Sequence, residues 1–84
     1  MRDEERTRLF STVDGEVLNN RDTLTLVHQA LQEKGYNPLD QIIGFLVSGD
    51  PSYITTHKNA RQLIQRTERN DLLEEIVAYY LANL

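Results

Sequence analysis

The chain has no cysteine and no tryptophan, and only two prolines and four glycines among 84 residues. Without cysteine there can be no disulfide, thiolate nucleophile or thiolate metal site, and nothing favours an oxidising compartment. No apolar run approaches the roughly 18 residues that suggest a membrane span. The start, Met1-Arg2-Asp3-Glu4-Glu5-Arg6, lacks the apolar stretch of a secretion signal. A cytoplasmic protein is expected. Basic residues are the minority charge, with nine Lys and Arg against thirteen Asp and Glu, for a net −4 and a pI near 5.0. That balance argues against general nucleic-acid binding, for which a basic domain is expected.

What is present describes one small globular domain. Hydrophobic residues make up 39% and charged residues 26%, neither a disordered nor a membrane composition. A chain of this length buries roughly 60–68% of its unfolded surface, so its core is small. Residues 1–20 show no sustained period, since Leu9, Phe10, Val13, Val17 and Leu18 are scattered among polar residues and Gly15. They read as a flexible N-terminal arm, followed by a helical domain over residues 21–84.

In that domain the helical period is plain. Leu24, Val27, Ala30 and Leu31 share one face of a first helix that starts after Asn20 or Asp22 and stops at Gly35. Asn37-Pro38 is a start signal, a capping side chain followed by proline in the first turn. The second helix, with Ile42, Ile43, Phe45, Leu46 and Val47, is apolar nearly all round and is expected at the centre, with Gly44 allowing close packing. Ser48-Gly49-Asp50-Pro51 stops it and leads into a short turn with Tyr53 and Ile54. A third helix, capped by Thr55 or Thr56, is expected to run to about Thr67. On it Lys58, Arg61, Gln65 and Arg69 fall within about 80° of one another, opposite Ala60, Leu63 and Ile64, as an outward basic stripe. Arg66 adds to this segment, which carries four cations against Glu68 in an otherwise acidic chain. Such a local patch suits an acidic partner or a phosphate, or is simply a solvated face. Asp71 and Glu74 form a capping pair for the last helix, whose Leu72, Leu73, Ile76, Val77, Tyr80, Leu81 and Leu84 exceed what a monomer of this size needs to bury. Tyr80 is expected in the core. The fold class is all-α, a compact bundle of about four short helices plus a short helical turn, with a homodimer covering the surplus apolar surface.

The chain offers little for catalysis. His28 and His57 lie on different elements, and neither has a second His or a carboxylate three or four residues on. Glu33, Glu74 and Glu75 read as helix-surface carboxylates, and Ser48 and Ser52 have no base nearby in sequence. Ser48-Gly49-Asp50-Pro51 is too short for a phosphate-binding loop. No cofactor, metal or catalytic residue is expected. Thr7 stands between Arg6 and Arg8, where a phosphoryl group would add about −1.5 to −2 charge beside arginines.

Several stretches in fixed order resemble a known family. Glu33-Lys34-Gly35-Tyr36-Asn37-Pro38, Gln41-Ile42-Ile43-Gly44, Ser48-Gly49-Asp50-Pro51, Tyr53-Ile54, His57-Lys58, Ala60-Arg61 and Glu68-Arg69 are similar to the IreB/ReoM regulators of Gram-positive bacteria, without a gap over residues 24–82. The resemblance implies a small, helical, dimeric, non-enzymatic protein. It implies phosphorylation of Thr7 by the membrane serine/threonine kinase with PASTA domains, and reversal by the cognate phosphatase. It implies control of cell-wall synthesis and cephalosporin resistance, through Clp-protease degradation of the UDP-N-acetylglucosamine enolpyruvyl transferase. Arg61 and Arg69 match family arginines that serve this output, whereas Thr56 and Gln65 stand where relatives usually carry arginine, Thr55 replaces a usual proline and Asn70 a usual aspartate. The partner-binding residues expected are Lys58, Arg61, Arg66 and Arg69. The competing reading is a helical DNA-binding module using the 57–69 helix, with a stripe of only three cations to neutralise phosphates.

Overall fold

The computed structural model of the chain describes residues 11–13 and 16–84. Thr7 and the rest of residues 1–10 lie outside the described residues. The helical bundle is as expected, and a short ribbon precedes it. Strand β1 (Ser11–Val13) pairs antiparallel with β2 (Glu16–Leu18), with Ser11 opposite Leu18 and Val13 opposite Glu16.

Helix α1 spans Asn20–Glu33. The Asn19 side chain caps it, accepting from the Asp22 N–H at 2.8 Å, and Asp22 adds a negative charge to the first turn. Thr23, Val27, Ala30 and Leu31 form its buried face. Gly35 closes it at φ +82, the Gly35 N–H donating to Gln32 O at 3.0 Å and the Tyr36 N–H to Leu31 O at 2.9 Å. This paired arrangement requires a left-handed residue after the cap, which only glycine adopts without strain.

Helix α2 spans Pro38–Ser48, with the Asn37 side chain accepting from the Asp40 N–H at 3.1 Å. It stops at Gly49, and the Ser48 hydroxyl donates to Gly44 O at 2.7 Å while accepting from the Asp50 N–H at 3.0 Å. Asp50 in turn caps a 3-10 turn over Pro51–Tyr53. The expected central place for α2 does not hold within the single chain. Phe45 is buried and Ile42 and Leu46 pack on the core, but Leu39, Ile43 and Val47 face outward.

Helix α3 spans Ala60–Gln65 and α4 spans Arg69–Ala82. The core sits where α1 meets α3, closed by Phe45, Ile54 and Leu72. Burial of each large side chain here (Leu31, Ile54, Ile64, Leu72) contributes about 1.5–3 kcal/mol. Helix α4 joins the core through Leu72 and Ile76 alone among its large apolar residues. Tyr80 is not a core residue, being 68% exposed alongside Tyr79, Leu81 and Leu84. The N-cap of α4 is Glu68, without a side-chain capping bond, so Asp71 lies inside the first turn and does not start the helix.

Candidate partner-binding face

The single helix expected to carry the basic stripe is two elements and a break. Thr56 precedes a 3-10 turn over His57–Asn59, in which Lys58 and Asn59 both take left-handed backbone angles, φ 53 and φ 63. Asparagine adopts this conformation readily, but for Lys58 it costs roughly 1–2 kcal/mol, which neighbouring contacts offset. They come from the C-terminal turn of α1. Glu33 Oε1 lies 2.7 Å from His57 Nε2 and 3.2 Å from Lys58 Nζ, and Lys58 Nζ donates to Oε2 at 3.3 Å. The hydrogen bond with His57, and after it that from Lys58, holds the Glu33 carboxyl below its ordinary value.

Each predicted cation therefore has its own setting. Lys58 is exposed and leans on Glu33. Arg61 opens into α3 half-buried, and its Nε donates to Ile54 O at 2.8 Å, satisfying the carbonyl of a fully buried residue. Its charge also helps hold the Asp50 carboxyl low, after the larger effect of the Ser52 N–H bonding to Asp50. Arg66 is exposed at the C-terminal end of α3, where a cation suits the helix dipole. Arg69 belongs to α4 and not to the helix of Arg61. Its Nη1 donates to Leu46 O at 3.3 Å, in the last turn of α2, again a favourable place for a cation. Gln65, expected in the stripe, is exposed at the end of α3.

The four cations thus lie on different elements, from the 3-10 turn to the start of α4, and not as a stripe on one rod. Sequence reasoning treated Glu33 as a plain surface carboxylate and missed its tie to His57 and Lys58. The signal was spatial, across 24 residues of chain. At the start of α4, the carboxyls of Glu68 and Asp71 share a hydrogen bond that, with their mutual repulsion, raises the Glu68 pKa. Among the described residues no group of three or more His, Asp or Glu side chains could hold a metal ion. None of the described helices is long and apolar enough to cross a membrane.

These features define a small all-α domain, preceded by a short ribbon, in which Arg61 and Arg69 donate to backbone carbonyls. The sequence model of the IreB regulatory phosphoprotein family matches residues 5–82. The chain is 54% identical over 78 residues to a UPF0297 protein of Ruminiclostridium cellulolyticum, covering 92% of this chain and 88% of that one. It is 49% identical over 80 residues to a UPF0297 protein of Clostridioides difficile, covering 95% and 94%. The chain belongs to the IreB regulatory phosphoprotein family.

Proposed function

We propose that this chain is a non-enzymatic, cytoplasmic regulator switched by phosphorylation of Thr7. The observation that carries the reading is the extent of the family match, which begins at residue 5 and so includes Thr7, flanked by Arg6 and Arg8. A PASTA-type serine/threonine kinase adds the phosphate and its cognate phosphatase removes it. The output is control of peptidoglycan synthesis and cephalosporin resistance, through Clp-dependent degradation of the UDP-N-acetylglucosamine enolpyruvyl transferase. Lys58, Arg61, Arg66 and Arg69 form the face that meets the partner. Lys58 and Arg66 do so as exposed charges, while Arg61 and Arg69 also donate to the carbonyls of Ile54 and Leu46. A phosphoryl group of about −1.5 to −2 charge changes what such a face can bind.

A homodimer is part of this proposal. Leu39, Ile43 and Val47 follow one another at four-residue spacing on the outer side of α2, and Leu73, Val77 and Leu81 do so along α4. These exposed stripes favour association with a second copy. Light scattering at micromolar concentration is expected to give twice the chain mass of 9.7 kDa. A monomer would remove this part of the reading.

The switch is tested by peptide mass spectrometry of the protein from cells with and without the kinase. Kinase-dependent phosphate on Thr7 is expected, together with opposite effects of Thr7→Ala and Thr7→Glu on cephalosporin tolerance. Equal phenotypes for the two variants would overturn the switch.

A further inference from the structure

An open groove of about 560 Å³ runs between α1, α2 and α4, apart from the cations described above. Leu24, Ile42 and Ile76 form its floor, while Arg21, Thr25 and His28 line its α1 side. The last three are spaced by four and three residues, so they share one face of α1 over about 10 Å. Across the groove, Glu75 accepts a hydrogen bond from Asn20 Nδ2 at 3.1 Å. The exposed Arg21 and His28 are thus left as donors facing an apolar floor.

The ribbon indicates what reaches this groove. Ser11 is paired with Leu18, two residues before α1 begins, so the N-terminal end of β1 lies at the end of the ribbon that leads into α1. Four residues separate Thr7 from Ser11 in sequence, a reach of at most about 14 Å. That length spans the Arg21–His28 side. The composition of the segment matches the groove, with two large apolar side chains next to the ribbon and a phosphorylatable hydroxyl beyond them.

We propose that the groove between α1 and α4 is the seat of the chain's own residues 7–10, with Leu9 and Phe10 on the apolar floor and phosphorylated Thr7 held by Arg21 and His28. The inference rests on the phosphorylation of Thr7 proposed above. It gives the phosphate a task distinct from masking Lys58 and its neighbours: it anchors the arm along α1 and covers the adjoining surface of α4. Two charge-assisted bonds to a phosphoryl group raise the docked fraction of the arm, as a ratio to undocked, by about tenfold or more.

The test uses the full chain with phosphothreonine installed chemically at position 7, compared with the unmodified chain by amide NMR. Shifts are expected at Leu24, Thr25, His28, Ile76 and Tyr79 on phosphorylation, and Arg21→Gln is expected to return most of them toward the unmodified positions. Leu9→Ser with Phe10→Ser is expected to do the same without altering the folded core. Shifts confined to Lys58, Arg61 and Arg69, or no shifts, would overturn the groove as the seat. Shifts in a labelled unmodified chain mixed with unlabelled phosphorylated chain would assign the groove to a second copy's arm and overturn it equally. Because the phosphate is installed chemically, these outcomes are independent of whether cells modify Thr7, which mass spectrometry decides separately.

Discussion

The Arg69 guanidinium occupies the space that a side chain at Gly49 would need. A Cβ built on Gly49 would lie 2.5 Å from Arg69 Nη1, the same nitrogen that donates to Leu46 O. Position 49 is therefore constrained twice, by its left-handed φ of +78 and by the arginine that closes the end of α2. Gly49→Ala is expected to destabilise the fold by about 1–3 kcal/mol, from backbone strain and the displaced guanidinium. In a domain this small each kcal/mol lowers the thermal midpoint by about 4–8 °C, so calorimetry resolves it. Arg69→Ala in the same background is expected to recover part of the loss. If Gly49→Ala melts like the parent, the guanidinium and the backbone strain are not constraints.

Gly44 makes a comparable contact for a different reason. Its φ is helical, but a Cβ there would run into the ring of Tyr53, which folds back over α2 while Tyr53 O accepts from Gln41 Nε2 at 2.9 Å. Alanine has the better helix propensity by about 1 kcal/mol, and displacing the ring costs about 1–3 kcal/mol. Gly44→Ala is expected to lower the urea midpoint, and Gly44→Ala with Tyr53→Ala is expected to cost less than the sum of the two single changes. Strict additivity would mean that the ring and the helix do not constrain each other.

The acid limb of stability is expected to depend on Glu33. Its carboxyl titrates below its ordinary 4.5 in the fold because His57 and Lys58 hold the charged form. A group lowered in this way contributes fully above its unfolded value, and the contribution is lost as pH falls through the lower folded value. Asp50 acts in the same direction through the Ser52 N–H, while Glu68, raised by Asp71, acts in the opposite one. Urea denaturation between pH 5 and pH 3 is expected to show a falling midpoint that is shallower in Glu33→Gln and steeper in Glu68→Gln. Parallel curves for all three proteins would remove these groups from the acid response.

The sequence was most legible where one residue does a local job. Gly35, Asn37-Pro38 and Ser48-Gly49-Asp50-Pro51 each end or start a helix as their chemistry dictates, and the apolar face of α1 follows the 3.6-residue period directly. It was least legible at 57–69. Lys58 and Asn59 break the helix without glycine or proline, because Glu33 on α1 holds the turn from across the fold. Arg69 likewise joins α4 because the Thr67 hydroxyl donates to Ile64 O at 2.7 Å, closing α3 early. Helical-wheel arithmetic assumes one rod, so it grouped three cations, Lys58, Arg61 and Arg69, that belong to three elements. The ribbon was legible in principle, since Asp14-Gly15 between Val13 and Glu16 is a strong two-residue hairpin pair. The outward face of α2 was expected at the centre, because sequence periodicity marks apolar positions without saying what covers them.

Arg61 provides the sharpest separation of bracing from binding. Its Nε–H satisfies the carbonyl of Ile54, which is fully buried, and lysine has no donor at that position along its stem. Arg61→Lys keeps the charge but leaves that carbonyl unpaired, and is expected to cost about 1–3 kcal/mol in urea denaturation. Lys58→Ala and Arg66→Ala change exposed residues and are expected to leave the protein folded, each at a cost of no more than about 1 kcal/mol. If the proposed partner face is correct, those two weaken regulation in cells while remaining folded, whereas Arg61→Lys weakens it in proportion to lost stability. A stable Arg61→Lys protein that fails to regulate would instead place the guanidinium itself against the partner.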